Sequence, residues 1–140
     1  HLPAKCLEVE ITESVIMLQP KDAIRQLEQL RDLGISLSID DFGTGYSSLS
    51  QLKEMPINNL KIDKSFIHNI STNKNDNVIT ETILAMAERL GLKVIAEGVE
   101  VAEQEDFLRI KQCDEVQGYL FNRPKKPSDI SELDLFIGNL

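Results

Sequence analysis

The chain has 140 residues, 41% hydrophobic and 27% charged, with 15 basic against 23 acidic side chains for a net charge of −8. That length and apolar content predict one domain with a sizeable core, while no apolar run is long enough to span a bilayer, so a soluble segment without membrane contact is expected. The acidity argues against a nucleic-acid polymer as partner, and it admits a small anionic ligand only if a divalent cation mediates.

Strand-like and helix-like stretches alternate in the order βαβαβαβαβα, with no repeat, linker or low-complexity segment. Residues 7–11 alternate apolar and polar and predict the first strand, after which Pro20 precedes a helix carrying Ile24, Leu27 and Leu30 on one face and stopped by Gly34. Residues 36–42 predict the second strand. A short helix follows, capped near Ser47, with Leu49, Leu52 and Met55 at helical spacing before Pro56 ends it. The third strand is expected over 59–66. A polar loop around 73–77 then leads into the longest helix, with Ile79, Ile83, Met86 and Leu90 as its buried stripe and Gly91 after it. A fourth strand over 93–98, a helix over 102–112, a fifth strand over 115–121 and a helix opening at Ser128 complete the pattern.

Strands separated by helices imply parallel pairing through right-handed crossovers, either in a doubly wound open sheet or in a (β/α) barrel. The strands choose between them. A sheet covered on both faces is built from continuous apolar runs, whereas here polar residues recur at every second position. Leu7, Val9 and Ile11 oppose Glu8, Glu10 and Thr12; Leu37 and Ile39 oppose Ser36, Ser38 and Asp40; Leu60 and Ile62 oppose Lys61 and Asp63. Val94 and Ala96 oppose Glu97, and Val116 opposes Gln117 and Tyr119. In a TIM-type barrel the apolar faces pack against outer helices and the polar faces point inward, toward the C-terminal strand ends where such enzymes build their sites. The fold class predicted is therefore α/β, a parallel barrel present as about five βα units. The shared parity brings Glu10, Asp40, Lys61, Glu97 and Gln117 onto one inner rim from five strands.

Three inward carboxylates, with Asp41 beside them, are oxygen donors suited to hard divalent ions such as Mg²⁺ or Mn²⁺. Such ions favour metal-assisted hydrolysis of a phosphoryl group, with Lys61 available to steady water or neutralise phosphate charge. Neither a Ser-His-Asp set nor zinc-ligand spacing is visible, and His1 and His68 are expected to be solvated. Cys6 and Cys113 lie far apart without a CxxC, which predicts buried free thiols and a cytoplasmic compartment. The run from Asp40 through Gly43, Thr44 and Gly45 to Ser48 fits neither the dinucleotide fingerprint nor the P-loop.

Five ordered stretches carry a family resemblance: Glu10-Ile11-Thr12-Glu13-Ser14, Asp40-Asp41-Phe42-Gly43-Thr44-Gly45-Tyr46-Ser47-Ser48-Leu49, Leu60-Lys61-Ile62-Asp63, Ala96-Glu97-Gly98-Val99-Glu100 and Gln117-Gly118-Tyr119. From about Leu7 to Pro124 the chain resembles the bacterial EAL domain. The resemblance implies a modified TIM barrel that hydrolyses cyclic-di-GMP to the linear dinucleotide pGpG with two Mg²⁺ or Mn²⁺ ions. It implies Glu10, Asp40, Asp41 and Glu97 as metal ligands, with Asp40 bridging, and Lys61, Glu97 and Asp40 as the catalytic set, Lys61 contacting the water. By the same resemblance Gln117, Glu100 and Asp63 belong with substrate binding, Glu100 near a guanine base. Glu13 matches the glutamate that orders the loop containing Gly43, Thr44 and Gly45.

The Glu-Ala-Leu signature that names the family, with its metal-binding Glu, is nowhere in these 140 residues, the motif with the family's metal-binding Asn, one strand before Glu10, is missing too, and the chain opens on His1. Residues 1–140 are accordingly expected to be the C-terminal portion of one EAL domain. This segment alone is then expected not to turn over substrate. Its two open sheet edges should pair with another copy or with an absent N-terminal segment. A non-catalytic cyclic-di-GMP receptor, or a dimerisation module, is the alternative function.

Overall fold

The computed structural model describes residues 2–13, 20–45, 49–70 and 72–130. Among these, five parallel strands form one sheet in the order β1-β2-β3-β4-β5: β1 (Glu8–Thr12), β2 (Ser36–Phe42), β3 (Asn59–Ile62), β4 (Lys93–Glu97) and β5 (Glu115–Gln117). The helices between and after them are α1 (Pro20–Asp32), α2 (Leu49–Glu54), α3 (Lys64–His68), α4 (Lys74–Leu90), α5 (Ala102–Ile110) and α6 (Pro127–Ile130). Strands that pair in sequence order without reversal form a stretch of barrel wall, since a doubly wound sheet requires a switch in strand order.

The core lies on one face of this wall. Leu37, Ile39, Leu60, Ile62, Val94 and Ala96 are almost wholly buried there, packed with Leu27 of α1, Leu52 of α2, Ile83 and Ala87 of α4 and Leu108 of α5. The opposite face is polar in two layers. The lower one joins Glu8, Ser36, Ser38 and Asn59: the Asn59 amide donates to Glu8 Oε1 at 2.8 Å and to Ser38 Oγ at 3.2 Å, and the Ser38 hydroxyl donates to Glu8. The upper layer, nearer the C-terminal strand ends, carries the site.

Several boundaries differ from the sequence expectation, each for a local reason. The third strand ends at Ile62, four residues early, because the Asp63 carboxylate accepts the Ser65 amide at 3.0 Å and caps α3. The fifth ends at Gln117, since the Leu120 amide turns back to the Val99 carbonyl at 3.0 Å. α4 already begins at Lys74, capped by Asn73. Its buried face runs through Thr80, Ile83, Leu84 and Ala87, with Met86 and Leu90 half-buried beside it and Ile79 at the solvent edge. In α2 Leu52 is buried but Leu49 is exposed, and the expected cap at Ser47 lies outside the described residues. α5 stops at Ile110, ahead of Gln112 with its φ of 59°. Both cysteines are free, yet only Cys113 is buried; Cys6 sits exposed near the N-terminus, contrary to expectation. Among the described residues no helix is long and apolar enough to cross a membrane.

Candidate metal centre

Lys61 is the middle of the polar layer. Side chains at matching parity on neighbouring parallel strands stand on one face, and Lys61 in β3 is only 5% exposed among them. Its ammonium lies 2.5 Å from Glu10 Oε1 of β1, 2.6 Å from Glu97 Oε1 of β4 and 3.4 Å from Asp40 Oδ1 of β2. Burial works against the charge, but the hydrogen bonds to Glu10 and Glu97 outweigh it, so Lys61 stays protonated well above the usual lysine range.

Asp40 and Asp41 are consecutive and would face opposite sides of a regular strand. A bulge changes that. Ile39 pairs with Leu60 and Phe42 with Ile62, so two residues of β2 oppose the single Lys61 of β3, and Asp41 adopts a φ of 54°. Asp is one of the few side chains that tolerates this left-handed conformation. With the bulge, Asp40, Asp41 and Glu97 each present an oxygen within 4.8 Å of the others. Oxygens bound to one hard cation at about 2.0–2.6 Å have separations of this order.

Asp40 Oδ1 supplies an independent sign of fit, being buried with no hydrogen-bond partner. A buried carboxylate oxygen without a hydrogen bond is costly unless a cation meets it, and the Lys61 ammonium, 3.4 Å away, does so only in part. The donor set is all-oxygen, as Mg²⁺ and Mn²⁺ prefer. Partial burial, then the charges of Asp40 and Asp63, raise the Asp41 pKa above the ordinary carboxylate value. For Asp63 burial acts in the same direction, but hydrogen bonds from Ser65 prevail and lower it.

Beside the carboxylates lies a cleft of about 230 Å³ lined by Lys64, Glu97, Gly98, Glu100, Gln117, Gly118 and Tyr119. Gln117 is in register with Glu97 across the β4–β5 pair. The approach of loops here depends on Gly98, whose φ is 73° and where a Cβ would fall 2.6 Å from Lys64 Cβ. A larger cleft, about 610 Å³, is lined by Glu88, Lys93, Lys111 and Asp114 near the N-terminal end of β4, the end of a barrel associated with stability rather than chemistry.

A third constellation steadies the loop after β2. Buried Glu13 accepts the amides of Gly43 at 3.3 Å and Gly45 at 3.1 Å, and the Thr44 hydroxyl donates to the Asp41 carbonyl at 2.8 Å. Thus Glu10, Asp40, Asp41, Lys61 and Glu97 come together, Gln117 and exposed Glu100 line the adjoining cleft, and Asp63 stands between Asp41 and α3. Glu10 lies outside the three-oxygen grouping, held by Lys61. Lys64 escaped sequence reasoning, although its place directly after the Leu60-Lys61-Ile62-Asp63 stretch was a signal. Arg123 stacking on the Tyr119 ring, 4.6 Å from its centroid, left none.

Residues 1–124 match the family model described as the EAL domain. The chain is 54% identical over 123 residues to the cyclic di-GMP phosphodiesterase NbdA of Pseudomonas aeruginosa, an alignment covering 88% of this chain but 16% of that protein. The chain therefore spans about a sixth of the length of this curated relative. Among solved structures, the PaMucR phosphodiesterase in complex with c-di-GMP superposes with a TM-score of 0.89 at 42% identity, covering 92% of this chain and 52% of that one. Klebsiella pneumoniae BlrP1, in complexes of cyclic-di-GMP with calcium and with manganese, superposes with a TM-score of 0.81 at 33% identity, over 88% of this chain and 31% of BlrP1.

Proposed function

Since this chain belongs to the EAL domain family, we propose that it supplies the C-terminal portion, over residues 1–140, of one EAL domain that hydrolyses cyclic-di-GMP to linear pGpG. The observation that carries this is the convergence of Glu10, Asp40 and Glu97 from three strands on buried Lys61, with Asp41 brought alongside by the bulge. The names of NbdA and PaMucR support the substrate, and the BlrP1 complexes support a divalent metal.

In this reading Asp40, Asp41, Glu97 and Glu10 would be the ligands that hold Mg²⁺ or Mn²⁺ when it binds. Such ions neutralise phosphate oxygens and make water acidic enough to attack at neutral pH. Lys61 would donate a hydrogen bond to the attacking water and orient it, its charge maintained by its hydrogen bonds to Glu10 and Glu97. Gln117 and Asp63 complete the polar floor under the phosphodiester. Glu100 accepts the paired N–H groups of a guanine edge in the cleft, while Glu13 keeps the Gly43 to Gly45 loop, and through it Asp41, in place. The open edges at β1 and β5 are closed by a second copy or by complementary strands. The compartment is the cytoplasm, in keeping with two free cysteines.

The test is chromatographic assay of cyclic-di-GMP with a protein in which this segment completes an EAL domain. Product pGpG is expected with Mn²⁺ or Mg²⁺ and not with chelator, and Glu97→Gln should lower turnover by about two orders of magnitude or more. Binding of cyclic-di-GMP without any pGpG would overturn hydrolysis in favour of a receptor.

A further inference from the structure

We propose that Lys61 is a tethered cation that assembles the carboxylate set before any metal arrives and then competes with the metal for Glu97. In the metal-free arrangement Glu10, Asp40, Asp41 and Glu97 would set four negative charges close together, and such a set repels itself apart. One ammonium, anchored at the centre of β3 and 5% exposed, contacts three of the four from three different strands. That contact gathers the site.

The distances also rank the contacts. Glu10 and Glu97 lie at 2.5 and 2.6 Å, within hydrogen-bond range, whereas Asp40 at 3.4 Å is left with Oδ1 unbonded. An ion entering at Asp40 meets an oxygen that takes no hydrogen bond and faces the ammonium only at 3.4 Å, but its ligand Glu97 is one that Lys61 already holds at 2.6 Å. Until a second ion claims Glu10, which lies outside the three-oxygen grouping, that carboxylate remains as the seat to which the ammonium retires. Lys61 therefore acts on the metal in two ways. It arranges the ligands, and it subtracts from affinity, because a positive charge a few ångströms from a divalent ion costs well over tenfold in binding even at the dielectric of a protein surface. Here Lys61 is a positioning residue, apart from any contact with substrate.

The inference rests on the metal part of the functional reading and not on its substrate, so its test uses Mn²⁺ alone. Calorimetric titration and thermal unfolding in chelator and in Mn²⁺ are compared for the wild-type protein and Lys61→Met, which keeps most of the stem and removes the charge. The variant is expected to melt lower than wild type in chelator, to bind Mn²⁺ at least about tenfold more tightly, and to gain more melting temperature from Mn²⁺. A merely structural lysine would lower both melting points alike and leave Mn²⁺ affinity unchanged or weaker, which overturns the proposal. If Lys61→Met does not fold in chelator, recovery of its fold on adding Mn²⁺ supports the proposal and failure to recover overturns it. Equal Mn²⁺ binding by both proteins would sink the inference while leaving the metal site standing; no binding by either would remove both.

Discussion

At the scale of single residues, two glycines separate backbone cost from crowding. Gly91 and Gly98 have nearly the same φ, 71° and 73°, but a Cβ at Gly91 meets nothing within 4 Å while one at Gly98 falls 2.6 Å from Lys64 Cβ. Gly91→Ala should lose only the left-handed penalty, about 1 kcal/mol, and Gly98→Ala about 2–4 kcal/mol, read from urea midpoints. Equal losses would mean that the Lys64 loop yields freely. Cys113 makes a pH-dependent claim. Burial pushes its thiol from 9.0 up to about 11, and its Sγ lies 3.3 Å from the Glu115 carbonyl. Below pH 9 the thiol is protonated in both folded and unfolded chains. Between 9 and 11 the unfolded chain loses the proton first, so stability falls as pH rises through that window, by about 2–3 kcal/mol at its top. Cys113→Ala should flatten that slope in denaturant titrations, whatever it does to stability at neutral pH.

At the scale of elements, the β2 bulge is the feature on which the site depends. Asp41 at φ 54° is strained for most side chains, so Asp41→Gly should be more stable than Asp41→Ala by about 1 kcal/mol although both remove the carboxylate. If Ala proves equally stable, the left-handed turn is not held in solution. The strand parity that sorted Glu10, Asp40, Lys61, Glu97 and Gln117 from the core residues was legible in sequence because a period of two is written directly into the chain. The bulge was not, since Asp40-Asp41 reads as one inward and one outward carboxylate until pairing with β3 is known. The early end of β3 was likewise hidden: Leu60 to Phe66 remains apolar enough for a strand, and only the Asp63 side chain, turned back onto Ser65, starts a helix there. In α4 the expected stripe missed Thr80 because a hydroxyl does not register as core, though it is fully buried.

At the scale of the whole molecule, the five parallel strands among the described residues form a piece of barrel wall with β1 and β5 at its edges. Partly buried Val116 and exposed Tyr119 and Phe121 cluster at the β5 edge. Light scattering of the purified chain should find self-association, or a monomer only when complementary strands are supplied. A stable, monodisperse monomer would contradict the proposed edge pairing. Family membership, which rests on motifs and superposition, would be untouched by that result, whereas the chemistry depends on the carboxylates binding a divalent ion. The most direct measurement is therefore Mn²⁺ titration followed by electron paramagnetic resonance, in which protein-bound ion loses the sharp free-ion signal. The wild-type chain is predicted to remove free Mn²⁺ and Asp40→Asn to leave it in solution; a wild-type chain that leaves the free-ion signal at its buffer value would contradict the metal centre.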